Sequence, residues 1–198
     1  GLPVGTARLR PDDADLAALS GWHGVWSHEN LLPDINGREE QGGIPPGVYM
    51  HLLGSNAPWT DSGWAGLEAF TREIRTAGAQ ANGWSYPIMM QTAAPLRFFI
   101  TPEETVIVSQ YRDIRYIPTD GRGMLPEEER WPTIWGTSAG CWEGDTLVIE
   151  TASVHYDPEY NFITARFLDE ATFVERLRLV SPDRIEGNIT ITDPATLT

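Results

Sequence analysis

From about residue 96 the chain alternates apolar and polar residues with a period of two, and it keeps that period almost to its end. The runs are LRFFIT (96–101), TVIVSQY (105–111), DIRYIPTDG (113–121), TIWGTSAGCWE (133–143), DTLVIETASV (145–154), NFITARFL (161–168), ATFVERLRLV (171–180) and RIEGNITITD (184–193). Turn chemistry separates them: Pro102-Glu103-Glu104, a kink near Arg112, the loop GMLPEEERWP, Glu143-Gly144-Asp145, Leu168-Asp169-Glu170-Ala171 and Ser181-Pro182-Asp183. Short strands in series joined by tight turns predict an antiparallel meander. With one earlier strand closing the sheet, the expected fold is mainly β, an up-and-down barrel of about eight strands.

That earlier strand is GVWSH (24–28), and most of what surrounds it reads differently. Residues 1–20 are an irregular or partly helical lead-in, and 30–46 are a Pro- and Gly-punctuated loop. One helix is expected near 64–78, where Leu67, Phe70, Ile74 and Ala77 share a face. Asp61 or Ser62 would cap its start and Gly78 its end. The 198 residues suit one domain: lead-in 1–20; first strand, loops and helix 21–95; β-meander 96–198.

Two groups of residues resemble known families. Gly24-Val25-Trp26, opening a series of antiparallel strands, is similar to the G-x-W of lipocalin-like barrels. There the Trp plugs one barrel end, often against an Arg of the last strands, a part that Arg176, Arg178 or Arg184 would take in this chain. The second group is Gly136–Thr151, GTSAGCWEGDTLVIET, which resembles the G-H-S-x-G-x-W-E-G-D-T-L-V-V-D-T of a bacterial family of mostly exported, lipocalin-like proteins. Arg115–Arg122, Glu175–Val180 and Ile189–Pro194 resemble further stretches of that family, so the likeness runs from about residue 16 onward. It implies a lipocalin-like fold rather than an activity. Thr137 stands where the family usually has His, and His155 where it usually has a small polar residue, so a function resting on the family His would be lost or moved.

Charge and composition exclude several classes. The formal net charge is −14, which repels phosphate backbones and anionic lipid surfaces, so no nucleic-acid or membrane-surface partner is expected. All 14 basic residues are Arg, which removes Schiff-base chemistry, the phosphate-loop lysine and a Ser-Lys dyad. Cys141 is the single cysteine, so neither an internal disulfide nor a cysteine-built metal site is available. No apolar run reaches the roughly 18 residues of a membrane span. The start at Gly1 fits a removed signal peptide as well as a trimmed chain; a periplasmic or secreted location is expected, with a cytoplasmic one left open.

The candidate chemistry begins with Ser138, whose G-x-S-x-G setting matches a nucleophile elbow. An elbow is a strand-to-helix turn, however, and in this chain a tight turn into another strand follows. Small residues at 136–140 fit better as a close approach of backbone to a neighbouring element. Of the four histidines, His23 and His28 are badly spaced for converging on a metal, and no metal or other cofactor is expected. His155 lies in SVHYDPEYNF among carboxylates that could fix its tautomer for general-base work. Tyr111, Asp113 and Arg115 fall on one side of a regular strand and would make a polar cluster in the interior. Glu150 shares a face with Val148 and Ala152, as on a pocket floor. Trp84, Tyr86, Met89 and Met90, with Trp135, Trp142 and Tyr160, would wall a hydrophobic ligand or simply pack the core.

Two functions fit these residues. One is a metal-free acid–base enzyme, a lyase, isomerase or cyclase acting on a small hydrophobic or aromatic molecule held in the barrel. His155 or Glu150 would be the base, Tyr111 the acid, and Arg115, beside Asp113, the stabiliser of developing negative charge. The other is a carrier using the same cavity without chemistry. A serine hydrolase acting through Ser138 is the weaker third, and homodimerisation stays open.

Overall fold

The computed structural model describes residues 11–27, 58–66, 69, 86–90, 95–110, 113–155, 167 and 169–198. They build two antiparallel sheets. The first has the order β1-β2-β3, with β1 Leu96–Ile100, β2 Glu104–Ser109 and β3 Ile114–Pro118. The second is β4-β5-β6-β7, with β4 Thr137–Glu143, β5 Thr146–Ala152, β6 Thr172–Ser181 and β7 Arg184–Thr192. Each strand coincides with a period-two run, and the alternation in β6 is strict through its first seven residues, with Phe173, Glu175 and Leu177 turned inward.

Two features differ from an eight-stranded barrel. Among the described residues the ladder stops between β3 and β4, so the strands form two sheets and no closed barrel. The Pro- and acid-rich loop between them takes no part in a hairpin; its acidic residues form only a short 3-10 turn, Glu127–Glu129. Also, β5 pairs directly with β6, from Thr146↔Arg178 to Thr151↔Phe173. The run 161–168, most of which lies outside the described residues, therefore has no place between them. Of the expected strand 24–28, the described residues 24–27 make a single bridge, Trp26↔Leu96, and His28 lies outside the described residues.

Local chemistry explains the joints. The β4–β5 hairpin closes over Gly144-Asp145, with Glu143 opposite Thr146 and Gly144 at φ 64°. At the β6–β7 turn the Ser181 hydroxyl donates to Asp183 at 2.6 Å, and Val180 bulges out of the register. The lead-in carries one short helix, α1 (Asp13–Ala18), fixed by a reciprocal Asp12/Asp15 capping box. Residues 61–66 are helical, but the cap is Thr60 rather than Asp61 or Ser62: its hydroxyl accepts from the Gly63 N–H and donates to the Ala195 carbonyl. The apolar face expected from Leu67 to Ala77 lies outside the described residues.

The core lies between the inner faces of the sheets. Trp22, at the end of a 3-10 turn (Leu19–Trp22), packs edge-on against Phe98 and Trp142, with ring centroids 5.3 and 5.2 Å away. Trp26, the residue expected to plug a barrel, is only partly buried, and its indole N–H donates to the Trp22 carbonyl. Arg176, Arg178 and Arg184 do not meet it. They are on the strands' outer surfaces, paired with Glu143, Asp145 and Glu186.

The two glycines of G-x-S-x-G have separate physical causes. Gly136 turns the chain into β4 at φ 70°, and a Cβ there would lie 2.6 Å from the Ala152 carbonyl oxygen. Gly140 lies against β3, where a Cβ would meet Ile117 Cγ2 at 2.9 Å. The close approach expected at 136–140 is thus made twice, by Gly136 against Ala152 of its own sheet and by Gly140 against β3 at the junction of the two sheets. Replacing Gly136 with Ala should cost about 1–2 kcal/mol for the left-handed backbone alone, with the clash in addition. A urea titration showing an unchanged midpoint would contradict this.

Candidate functional site

A buried charged cluster lies where β3 faces β4. Arg115 stands in one cross-strand row with Phe98 and Ile107, pointing inward from the first sheet. Across the junction, Ser138, Thr151 and Phe173 share a row of the second sheet, and Gly140, Ile149 and Glu175 share the next. Because Gly140 presents no side chain, β3 comes close enough for Arg115 to span the gap. Its Nη1 and Nη2 reach the two Glu175 oxygens at 3.3 and 2.7 Å. Nη2 also donates to the Thr151 and Ser138 hydroxyls, at 3.0 and 3.3 Å, and those hydroxyls are 2.9 Å apart. The pair is sealed from solvent, at 1% and 0% side-chain exposure.

Tyr86 completes the cluster. The Arg115 guanidinium lies over its ring, 4.2 Å from the centroid. Its hydroxyl is beside the Glu175 carboxylate and the Thr151 hydroxyl, and both act on it. Arg115 Nε is buried with no acceptor among the described residues. An aromatic ladder runs outward from Tyr86, through Phe173 at 5.0 Å and Phe167 at 5.7 Å to Trp59, stacked at 6.0 Å. Asp113, two residues before Arg115 on the same inner face, accepts from Ser109 Oγ at 2.8 Å and from the Trp135 indole at 3.4 Å.

The electrostatics follow from burial. Burial, then the Glu175 carboxylate, pushes the Tyr86 phenol well above its usual value of 10.0, against a smaller pull from Arg115. Burial works against the Arg115 charge, but Glu175 and Tyr86 outweigh it and raise its pKa. For Tyr86 the folded pKa exceeds the unfolded one. Its share of stability is complete below about pH 10 and is lost as the pH rises from there toward the folded value. Native wild type and Tyr86→Phe should therefore give superimposed tyrosinate absorbance up to about pH 10.5, separating only on unfolding. A native-state difference of one tyrosinate near pH 10 would contradict it.

The structure divides the sequence candidates. It brings Arg115 and Asp113 to one inner face and adds Ser138 to the cluster. Tyr111, Trp84 and Tyr160 lie outside the described residues. Glu150 does share a face with Val148 and Ala152, both buried, but it is the face opposite Leu147, Ile149 and Thr151, so Glu150 does not reach Arg115 through the sheet. His155 is exposed, with Nδ1 3.4 Å from Asp169 Oδ2, side chains 55% and 61% accessible. Tyr86, Met89, Met90 and Trp142 belong to the buried core, and Trp135 is partly buried against it. Ser138 sits mid-strand, hydrogen-bonded to Thr151 and Arg115 rather than to an imidazole.

Glu175 is the participant that motif matching misses. Its signal lies in TFVERLRLV, where strict alternation places it between Phe173 and Leu177 on the buried face. No group of three His, Cys, Asp or Glu side chains is gathered for a metal among the described residues, and no described helix is long and apolar enough to cross a membrane. Compared with models of known protein families, with curated proteins and with solved structures, the chain matches none.

Proposed function

We propose that the protein binds a small, largely apolar molecule at the junction of its two sheets, with Arg115, Tyr86 and Ser138 as its polar contacts. One observation carries this: Arg115 Nε–H, buried within the cluster, has no acceptor among the described residues. Buried donors are normally paired, and one left over marks a place where another group supplies the acceptor. Partly exposed Ser138 and Trp135 flank the cluster and give it a side toward solvent. Native mass spectrometry of the protein isolated from its own cells should show a bound small molecule that the double variant Arg115→Met, Glu175→Leu does not carry. Equal adducts on both proteins would overturn the proposal.

Acid–base turnover of the same molecule is the second reading, favoured by the Tyr86 phenol lying beside the Glu175 carboxylate. In it Tyr86 is the acid and Arg115 stabilises developing negative charge, while His155 and Glu150 stand apart. Tyr86→Phe should then abolish turnover, and His155→Ala should leave it intact. The reverse pattern would return the chemistry to His155. The lipocalin-like ancestry, the exported location and a role as an extracytoplasmic carrier or enzyme belong to this proposal, on the strength of the G-x-W and W-E-G-D-T stretches alone.

A further inference from the structure

The second sheet ends on an edge that no described residue occupies. Its first strand, β4, lies against β3, and β1 of the first sheet is met by Trp26, whereas β7 pairs only with β6 among the described residues. β7 is nine residues long, contains no Pro and points no charge inward, so the usual devices that blunt an edge strand are missing. Its inward side chains Ile185, Ile189 and Ile191 are only partly buried against the core. Gly187 between them is exposed although it has no side chain to reach outward, so the backbone itself is open there. Charge also leaves this side approachable. On the outer surface Arg176, Arg178 and Arg184 are paired with Glu143, Asp145 and Glu186, three positive charges against three negative. This patch is locally neutral on a chain whose net charge is −14.

We infer that β7 pairs antiparallel with β7 of a second copy of this chain, about a two-fold axis at Asn188, so that the two sheets continue as one. The residues of the strand favour a copy of itself as the occupant. An axis at Asn188 pairs the whole strand, Arg184 to Thr192. On the outer face Arg184 then stands opposite the partner's Thr192, Glu186 opposite the partner's Thr190, and Asn188 opposite its own counterpart, so no like charges meet. On the inner face Ile185 stands opposite the partner's Ile191, and Ile189 opposite the partner's Gly187. Leu177 lies under that glycine, its Cδ2 2.6 Å from where a Cβ would be, and gives the incoming isoleucine an apolar surface. Moving the axis to Glu186 would instead set that carboxylate against itself.

Sedimentation equilibrium of the intact chain, at concentrations up to about 100 μM, should give the mass of two copies. Thr190 is exposed on the outer face, so its substitution leaves the core of each copy alone. Thr190→Glu sets a carboxylate against Glu186 at two symmetric places and should weaken association at least about tenfold, whereas Thr190→Lys offers the opposite charge there and should tighten it. Ser20→Glu and Ser20→Lys, at an exposed position away from the edge, change the net charge by the same amounts and should leave association unmoved. A chain that stays monomeric overturns the proposal. So does a dimer that both Thr190 variants shift in one direction, or no further than the Ser20 variants do. Amide hydrogen exchange of the wild-type chain needs no variant: amides within 184–192 should exchange faster on dilution, and rates independent of concentration overturn the edge assignment.

Discussion

Glu175→Leu should cost about 3–5 kcal/mol of folding stability, because it leaves the Arg115 guanidinium buried with no counter-charge. Two hydroxyls, of Thr151 and Ser138, and the Tyr86 ring would remain around that cation, and none of them carries a negative charge. Adding Arg115→Met to the same chain removes the stranded charge, and stability should return most of the way to wild type or pass it. Urea unfolding of the three proteins reads both effects. If the double variant were as unstable as Glu175→Leu, the loss would come from disrupted packing and not from an uncompensated charge. The comparison matters for function, because an ion pair that apolar residues can replace without loss is not there for stability.

The second large effect belongs to Trp22→Ala, again about 3–5 kcal/mol. The indole is almost wholly enclosed and fills the space between Phe98 of the first sheet and Trp142 of the second, so its removal opens a cavity in both. Trp26→Ala should cost clearly less: Trp26 is partly exposed and contributes one hydrogen bond to the Trp22 carbonyl and a bridge to Leu96. The G-x-W resemblance makes Trp26 the plug, whereas burial gives that weight to Trp22. Thermal or urea unfolding of the two alanine variants decides between them, and a larger loss for Trp26→Ala would contradict this ranking.

These expectations differ in how far they are legible in the sequence. The strands are legible because alternation and turn residues are local: Thr105, Ile107 and Ser109 against Val106 and Val108 already say strand, and Gly144-Asp145 already says hairpin. The break between β3 and β4 is not legible, since it depends on which edges meet in space. Periodicity groups Glu150 correctly with Val148 and Ala152 but does not say which face of a strand meets β3. That one undetermined bit separates a base in the cluster from a carboxylate on the opposite face of the strand. Arg115 stands out because a charge in a regular apolar strand is costly. Glu175 is equally anomalous, but its place in a family-like stretch hides the anomaly. The pairing of the two, 60 residues apart in sequence, depends on Gly140 letting β3 approach, a contact that no local pattern announces.

In the folded chain the serine motif is a structural junction. Gly136 and Gly140 are there for a left-handed turn and a close approach, and Ser138 between them shares its hydroxyl with Thr151 and Arg115. All 14 cations of the chain are arginines, so every one carries an Nε–H that nitrogen-15 labelling makes visible. Comparing the labelled protein isolated from its own cells with the same protein freed of small molecules by unfolding and refolding tests the central claim most directly. A shift of the Arg115 Nε–H resonance between the two, with the exposed Arg122, Arg176 and Arg178 unmoved, is the expected result. An Arg115 signal at the same position in both would contradict it.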